Sequence, residues 1–259
     1  MTTHAHRTAL VDPDAQIAED VTIGPYAIIG AAVVLGPGTR IAAHAVIEGE
    51  TRLGAACRVG YGAILGADPQ DRKYAGEPTR LEIGSGTVIR EYATLHRGTA
   101  ASGVTRVGSD CFLMAYVHIA HDCHIGDDVT IANAVQLAGH VTIGNHVNIG
   151  GLTPVHQFVR VGDHAFVGGG SRVPQDIPPF TRAAGNPLRL VGINTVGLTR
   201  AGVGQETIDA LQHAYRLLFN SRLRRADAME RLRREAVRVP EVARLLGFVG
   251  ESERGVLAG

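Results

Sequence analysis

The chain has 259 residues, with 25 acidic and 25 basic side chains, no tryptophan and only 5% aromatic residues. It contains no apolar run of the roughly 18 residues or more that a transmembrane helix needs, and its N-terminus does not resemble a secretion signal. These features exclude a membrane-spanning chain and predict a cytoplasmic protein with one elongated domain and a small appendage.

An aliphatic residue recurs every six positions along most of the chain, over residues 11–65, 83–95 and 107–173. A small side chain follows each of these residues four positions later, and the gaps between the segments are multiples of six. This period fits neither a helix nor an ordinary strand. It fits a hexapeptide β-helix, in which three hexads close one coil around aliphatic and small side chains. Glycines that directly follow many of the aliphatic residues, such as Gly24 and Gly36, are expected where the chain bends sharply.

The three cysteines all fall on the small, inward position of their hexads. They are Cys57, Cys111 and Cys123. A buried free thiol behaves as a small apolar residue. The spacing therefore predicts three buried free thiols rather than a disulfide or a metal site.

Two polar segments interrupt the repeat, and the repeat ends before the C-terminal part of the chain. We predict loops at 67–82 and 98–106, and the repeat ends after Pro178 and Pro179. Long loops in repeat proteins are more often functional than accidental. We therefore assign residues 1–190 to the β-helix with its two loop insertions and residues 191–259 to a C-terminal helical domain.

The C-terminal region has a helical pattern and a basic charge. Apolar residues at Ile208, Leu211, Tyr215 and Leu218 predict one helix face, and further helices are expected around residues 226–237 and 240–248. Residues 181–259 carry 13 basic against 8 acidic side chains, whereas residues 1–180 carry 12 against 17. The arginines cluster at Arg222, Arg224, Arg225, Arg231, Arg233 and Arg234. Such a cluster indicates an acidic partner, and a nucleic acid is disfavoured because no recognition motif is present.

The coil of three hexads converts histidine spacing into adjacency. His121, Gly139 and Gln157 are separated by three hexads each and should form one column along the prism. Asp122, His140 and Phe158 should form the next column, with His118 and His156 close by. His44, His124, His146 and His164 are interpreted as structural or solvent-facing.

This patch contains the groups that general-base acyl transfer requires. An imidazole can take a proton from a sugar hydroxyl, and an adjacent carboxylate can fix its tautomer. A glycine one coil away can offer its N–H to a developing oxyanion. No nucleophilic serine or cysteine signature is present, so direct transfer without a covalent enzyme intermediate is the simpler mechanism.

Several stretches resemble the UDP-N-acetylglucosamine O-acyltransferase family. The most specific are KYAGEPTR at 73–80 and HIAHD at 118–122, and the resemblance extends through the helical tail. The resemblance implies a homotrimer of left-handed β-helices with active sites between subunits. It also implies transfer of an (R)-3-hydroxyacyl group from acyl carrier protein to the 3-hydroxyl of UDP-N-acetylglucosamine in lipid A biosynthesis. The donor's phosphopantetheine would be needed, but no further cofactor and no metal.

The resemblance also assigns roles to individual residues. His121 resembles the general base, Asp122 its orienting partner and Gly139 the oxyanion donor. The implied substrate contacts are Asp71, Lys73, His118, His140, His156, Gln157, Asn194 and Arg200. Gly169 resembles an acyl-pocket position and leaves space for a longer chain, and the basic helices resemble a docking surface for acyl carrier protein.

Three positions depart from the family pattern. Ala201 stands where a second arginine often follows Arg200, and Val196 stands where an acidic residue is common, so contacts on the uridine side should differ. Pro187 replaces a histidine sometimes found near the far end of the acyl pocket. Transfer to a 3-amino sugar, which would give an amide, is a variant of the same reaction.

Four other interpretations compete with this one. Acetyl-CoA-dependent hexapeptide transferases share the repeat but lack the KYAGEPTR loop and usually the long helical tail. A related N-acyltransferase carries an additional N-terminal domain, whereas the repeats here begin by Val11. A β-helix carbonic anhydrase would use three histidines, such as His118, His121 and His140, as zinc ligands. A purely structural β-helix would bind partners through its flat faces and would have no catalytic histidine.

Overall fold

A computed structural model, which describes residues 4–235 and 239–258, contains three sheets that form the faces of a prism and are parallel except for the last strand pair of sheet A. Sheet A consists of β1 (His4–Ala5), β4 (Thr22–Ile23), β7 (Arg40–Ile41), β10 (Arg58–Val59), β13 (Val88–Ile89), β16 (Phe112–Leu113), β19 (Thr130–Ile131), β22 (Asn148–Ile149), β25 (Phe166–Val167), β26 (Thr181–Ala184) and β27 (Arg189–Ile193). Sheet B consists of β2 (Leu10–Val11), β5 (Ile28–Ile29), β8 (Val46–Ile47), β11 (Ile64–Ala67), β14 (Thr94–His96), β17 (His118–Ile119), β20 (Gln136–Leu137) and β23 (Pro154–Val155). Sheet C consists of β3 (Gln16–Ile17), β6 (Val34–Leu35), β9 (Glu50–Leu53), β12 (Arg80–Ile83), β15 (Val104–Val107), β18 (His124–Ile125), β21 (Thr142–Ile143) and β24 (Arg160–Val161).

The register confirms the predicted coil. Ile131 pairs with Ile149, and Ile119 pairs with Leu137, so hydrogen-bonded neighbours are one coil apart. Successive side chains of a strand point to opposite faces, so the aliphatic residue of each of these hexads points inward and is buried. The polar residue beside it points outward. The predicted left-handed parallel β-helix with C-terminal helices is confirmed.

The sharp bends do not lie at the glycines where they were expected. The left-handed backbone conformation occurs three residues after the aliphatic position, as at Asp122 (φ 59°), His140 (φ 62°) and Phe158 (φ 63°). Gly36 is needed for a different reason, because a Cβ there would lie 2.5 Å from the carbonyl carbon of Gly54 in the next coil. The expectation that these glycines supply the bends was therefore wrong except at Gly66 (φ 78°), and close stacking of coils explains Gly24 and Gly36 instead.

The cysteines behave as the repeat predicts. Cys57, Cys111 and Cys123 are buried inside the prism and unpaired. Burial raises the pKa of the Cys123 thiol to about 12, so this thiol stays protonated and unreactive near neutral pH.

The helical region follows an antiparallel hairpin of β26 and β27. Its helices are α1 (Thr195–Arg200), α2 (Gln205–Phe219), α3 (Arg225–Glu235) and α4 (Pro240–Gly250). The predicted face of α2 is confirmed, since Ile208, Leu211, Tyr215 and Leu218 are all buried. The last two residues of the helix predicted at 226–237 lie outside the described residues. No helix in the described part of the chain is long and apolar enough to cross a membrane.

Candidate active site

The predicted catalytic pair lies where the chain turns from sheet B to sheet C, which we call the B–C edge. His121 Nδ1 and Asp122 Oδ2 are 2.7 Å apart. An ionised carboxylate can only accept, so Nδ1 carries the hydrogen and Nε2 is left as the basic nitrogen. The sequence neighbours are thus in direct contact, and the imidazole has the tautomer that a general base needs.

Asp122 is buried and fully hydrogen-bonded. Its carboxylate accepts from the Thr99 N–H at 3.0 Å, from Thr99 Oγ1 at 2.7 Å and from the Ser102 hydroxyl, besides His121. Burial alone raises the pKa of Asp122, but hydrogen bonds from Ser102, His121 and Thr99 outweigh it and lower the pKa to about 2. The carboxylate is therefore ionised at any pH where the imidazole can act as a base.

The two predicted columns surround this pair. His140 stands edge-on to His121 with ring centroids 5.1 Å apart, and it stacks on Phe158 at 4.5 Å. Gly139 lies directly under the His121 ring, because a Cβ at Gly139 would be 2.6 Å from His121 Cε1. Within the described residues the Gly139 N–H has no hydrogen-bond partner. This unused donor beside the basic imidazole suits an oxyanion.

His118 extends the patch along sheet B. Its Nδ1 is 2.8 Å from Thr94 Oγ1, and its ring meets His96 edge-on at 5.2 Å. Burial, followed by nearby His96 and His121, lowers the pKa of His118 to about 4. His118 is therefore neutral near pH 7 and offers a hydrogen-bonding group rather than a charge. His156 and Gln157 lie exposed two coils further on, where a ligand can reach both.

The polar loop predicted at 67–82 spans residues 68–79, because β11 ends at Ala67 and β12 begins at Arg80. Arg97 fixes this loop beside the patch. The guanidinium donates to the Gly66 carbonyl at 2.7 Å and to Tyr74 Oη at 3.0 Å, and it also pairs with Asp68. Lys73 is exposed on this loop, and its backbone N–H is held by the Asp71 carboxylate at 3.0 Å. The loop is thus ordered, with Lys73 free to contact a ligand.

Asn194 and Arg200 occupy a separate cleft at the C–A edge, where the chain turns from sheet C to sheet A. The cleft has a volume of about 520 Å³, and its lining also includes His146, His164 and Arg182. Asn194 caps α1 by accepting from Gly197 N at 3.2 Å and donates to the His164 carbonyl at 2.9 Å. A single chain therefore does not bring these residues to the His121 patch.

Gly169 lies at the third edge, where the chain turns from sheet A to sheet B (the A–B edge). It is exposed, and a Cβ there would be 3.1 Å from the Gly151 carbonyl oxygen of the coil below. The A–B edge also carries exposed large apolar side chains, which are Tyr26, Tyr61, Tyr92, Tyr116 and Leu152. Exposed large apolar side chains that recur along one edge are typical of a surface that binds another molecule.

One cluster of the described residues has the composition of a metal site. His121, Asp122 and His140 place potential ligand atoms within 4.8 Å of one another. The Asp122 oxygens already accept from Thr99, Ser102 and His121, so a metal would have to break these bonds. His118, which a zinc hydratase would need as a third histidine, is not part of the cluster, so this arrangement favours proton transfer over metal binding.

Comparisons with known proteins identify the family of this chain. Residues 176–257 match the family model described as Udp N-acetylglucosamine O-acyltransferase; Domain 2, and residues 105–139 match the bacterial transferase hexapeptide repeat. The acyl-[acyl-carrier-protein]--UDP-N-acetylglucosamine O-acyltransferase of Myxococcus xanthus is 53% identical over 97% of this chain and 98% of its own. The enzyme of the same name from Alkalilimnicola ehrlichii is 51% identical over 96% and 97%.

The chain belongs to the UDP-N-acetylglucosamine O-acyltransferase family. The solved structure of LpxA from Acinetobacter baumannii is 44% identical, covers 98% of this chain and 99% of its own, and superposes with a TM-score of 0.95. The UDP-N-acetylglucosamine O-acyltransferase of Moraxella catarrhalis, also 44% identical, gives a TM-score of 0.94 with the same coverage. The resemblance seen in the sequence is confirmed.

Sequence reasoning missed several residues of this acyltransferase's site. Thr99 and Ser102 hold Asp122, although the sequence singles out only the loop that carries them. His146 and His164 are structural or solvent-facing by sequence, yet they line the cleft of Asn194 and Arg200. Arg182 lines the same cleft, and no motif indicates it, because a contact between a strand and a distant helix has no sequence period.

Gly139→Ala should impair catalysis in this acyltransferase without unfolding it. The added Cβ would lie 2.6 Å from the His121 ring, so the imidazole must move away from its present position. Misplacing a catalytic group by about 1 Å costs roughly 100-fold in rate, so kcat should fall by about that factor. Steady-state kinetics with thermal melting would check this. A variant with wild-type kcat would show that the His121 ring does not work from this position.

Proposed function

We propose that the chain transfers an (R)-3-hydroxyacyl group from acyl carrier protein to the 3-hydroxyl of UDP-N-acetylglucosamine, the first step of lipid A biosynthesis. The names of its relatives support both substrates. The observation that carries the proposal is the His121–Asp122 pair beside the unused N–H of Gly139. These groups are the parts that direct acyl transfer requires.

The mechanism follows from the tautomer of His121. Nε2 takes the proton of the sugar hydroxyl as the oxygen attacks the thioester carbonyl, while Asp122 stabilises the imidazolium through Nδ1. The Gly139 N–H donates to the oxyanion of the tetrahedral intermediate. When the intermediate collapses, the imidazolium returns the proton to the departing phosphopantetheine thiolate. No cofactor beyond that arm of the donor takes part.

The other predicted substrate residues support binding at both sides of the reaction. Neutral His118, together with His140, His156 and Gln157, surrounds the dyad and suits the sugar and the pantetheine. Asp71 and Lys73 on the first loop suit the acyl and sugar groups. In the C–A cleft, Arg200 and Arg182 form no ion pair among the described residues, while Asp128 of the same cleft pairs with His146 at 2.8 Å. Two unpaired guanidinium groups suit a diphosphate. The amide of Asn194, held as a helix cap, would contribute mainly by shaping this cleft.

A homotrimer would bring these separated parts together. The exposed apolar stripe at the A–B edge, with Tyr92 and Tyr116 stacked at 5.3 Å, supports contact with a neighbouring copy. Such a neighbour would place its own Gly169 and its nucleotide cleft near His121. The distance between the dyad and the cleft within one chain is thus explained by a site that two subunits share.

Charge reversal on the helical domain should weaken binding of acyl carrier protein. Arg222, Arg225 and Arg233 are exposed and form no ion pair within the described residues, whereas Arg224, Arg231 and Arg234 pair with acidic neighbours. Because the proposed partner is acidic, replacing the unpaired arginines with glutamate should raise the KM for acyl carrier protein about 10-fold in low salt, with kcat nearly unchanged.

The control is Arg52→Glu, an exposed arginine on sheet C paired with Glu50. Its KM for acyl carrier protein should stay near wild type, and the effect of the helical variants should shrink at high ionic strength. Equal effects from both positions would argue against docking on the helices.

Gly169→Met should shift the acyl preference to shorter chains. A large side chain at this position would fill the space that the absence of a Cβ leaves at the A–B edge. The ratio of kcat/KM for long over short donors should fall at least about 10-fold, since loss of a few methylene contacts is worth that much. Competition between donors of two chain lengths would measure the ratio. An unchanged ratio would contradict the placement of the acyl pocket.

The proposed function is tested directly with purified enzyme. A panel of (R)-3-hydroxyacyl carrier proteins of different chain lengths is offered with UDP-N-acetylglucosamine, and the acylated sugar nucleotide is measured. Turnover with one length supports the proposal and gives the chain preference. No turnover with any donor, followed by turnover on the 3-amino sugar nucleotide, would show that the acceptor is the amine.

A further inference from the structure

The sequence predicts a loop at 98–106, but β14 ends at His96 and β15 begins at Val104, so the loop spans residues 97–103. This second loop supplies most of the hydrogen bonds to the Asp122 carboxylate. Asp122 is 3% exposed, and water does not solvate its charge. Of the four hydrogen bonds that its oxygens accept, three come from Thr99 and Ser102 and one from His121. The titratable His140 also faces this site, with its Nε2 3.7 Å from Asp122 Oδ2 and its ring edge-on to His121. An ionised carboxylate in such a place depends on its hydrogen-bond donors for both its charge and its orientation.

We propose that Thr99 and Ser102 are positioning residues that hold the Asp122 carboxylate against His121 and thereby set the basicity of the His121 imidazole. This inference rests on the proposed general-base function. Neither residue touches the reacting atoms, and both act through Asp122.

Thr99 makes the more rigid of the two contacts. It is 7% exposed and binds both carboxylate oxygens, with its N–H at 3.0 Å from Oδ1 and its hydroxyl at 2.7 Å from Oδ2. Two donors from one residue fix the plane of the carboxylate as well as its position. Oδ2 is also the oxygen that His121 Nδ1 approaches, so the Thr99 hydroxyl and the imidazole share one acceptor.

Ser102 closes the other side of Asp122. Its hydroxyl lies near both Asp122 Oδ1 and the Val104 carbonyl, which is 2.9 Å away. A hydroxyl has one hydrogen, and the charged carboxylate is the stronger acceptor, so the hydrogen goes to Asp122. Ser102 itself is exposed at the rim of the loop, so removing its hydroxyl does not disturb the prism.

The loop is built to keep these donors in place. The Gly103 N–H donates to the Thr99 carbonyl at 2.7 Å and closes the turn, while the Gly98 N–H donates to the Arg80 carbonyl at 3.2 Å. The Asp122 N–H is bound separately by Thr105 Oγ1 at 2.8 Å, and Thr105 belongs to β15, so the backbone of Asp122 does not depend on the loop. The first loop is tied in as well, because Glu77 accepts from the Ala100 N–H at 3.2 Å.

The direction of the effect follows from charge sharing. Each neutral donor draws part of the negative charge of Asp122 away from His121. When a donor is removed, the carboxylate binds the imidazolium more strongly, so His121 keeps its proton to higher pH. The imidazole is then protonated over a wider pH range, and the acid limb of the kcat/KM profile moves to higher pH.

The experiment compares Thr99→Val, Thr99→Ser and Ser102→Ala with wild type. We expect the acid limb to move up by about half a pH unit in Thr99→Val and in Ser102→Ala, with kcat reduced about 10-fold and KM little changed. Thr99→Ser keeps the hydroxyl and should restore the wild-type profile. Thr39→Val is the matched control, since Thr39 is a buried threonine in a distant coil whose hydroxyl donates to the Gly54 carbonyl at 3.1 Å.

A second readout does not depend on the reaction. Titration of 13C-labelled histidine by NMR follows His121 directly, and its midpoint should rise in Thr99→Val and Ser102→Ala but not in Thr39→Val. An unchanged midpoint in both variants would overturn the inference, even if activity falls. The wild-type enzyme could fail to transfer any acyl group while the His121 midpoint still rises in Thr99→Val and Ser102→Ala. That result would count against the proposed function and leave the positioning role standing.

Discussion

His121→Ala is expected to abolish acyl transfer while leaving the fold intact. Within the patch, His121 is the imidazole whose Nδ1 hydrogen is held by Asp122 and whose Nε2 is free to take a proton. A lost general base costs about 100- to 10,000-fold, and the paired carboxylate places this site at the upper end, so kcat should fall by about 1,000-fold or more. Steady-state kinetics at saturating donor and acceptor would measure the loss.

The fold should survive this change because the imidazole lies at the B–C edge and not inside the prism. Its side chain is 14% exposed, and its removal empties no part of the aliphatic core. His124→Ala is the control, since His124 lies at the outward position of β18 in sheet C and belongs neither to the patch nor to the A–B edge. Wild-type melting in both variants with activity lost only at His121 is the expected pattern. Retention of more than about a tenth of kcat would move the role of base to another histidine.

The fold and the dyad could be predicted from the sequence for the same physical reason. Stacked coils turn a constant sequence interval into a constant position in space, so one count of three hexads places His121 over Gly139 and His140 over Phe158. Each coil contributes the same backbone path, and the side chains at one edge must line up. Both columns that the spacing predicts are present in the structure.

Features that do not share the period could not be predicted in this way. Thr99 and Ser102 reach Asp122 from a loop whose path depends on its own turn hydrogen bonds. The cleft at the C–A edge forms because α1 folds back beside Arg182 and His164, a contact that no interval in the sequence encodes. The expectation that glycines such as Gly36 supply the bends failed for the same reason. The distance between stacked coils, and not the local backbone conformation, decides where a Cβ is excluded.

Ile131→Asp is expected to destroy the fold. Ile131 is fully buried in β19, between Leu113 of β16 and Ile149 of β22 in sheet A. A carboxylate there would lie inside an aliphatic prism without a hydrogen-bond or ion-pair partner. The free energy of unfolding would fall by several kcal/mol, which is a large part of the stability of an ordinary domain. Because each coil is stabilised by the coils above and below, the damage spreads to both neighbours.

Thermal melting and the soluble yield would measure the effect, with two controls that separate charge from position. Ile131→Val removes one methylene group and should cost about 1 kcal/mol, so the protein should still fold and react. Thr22→Asp places the same carboxylate on an outward position of sheet A and should melt near the wild-type temperature. A stable Ile131→Asp protein would mean that the inward and outward positions of the hexads have been assigned in the wrong register. That result would also undo the alignment of His121 over Gly139, because the same register produces both.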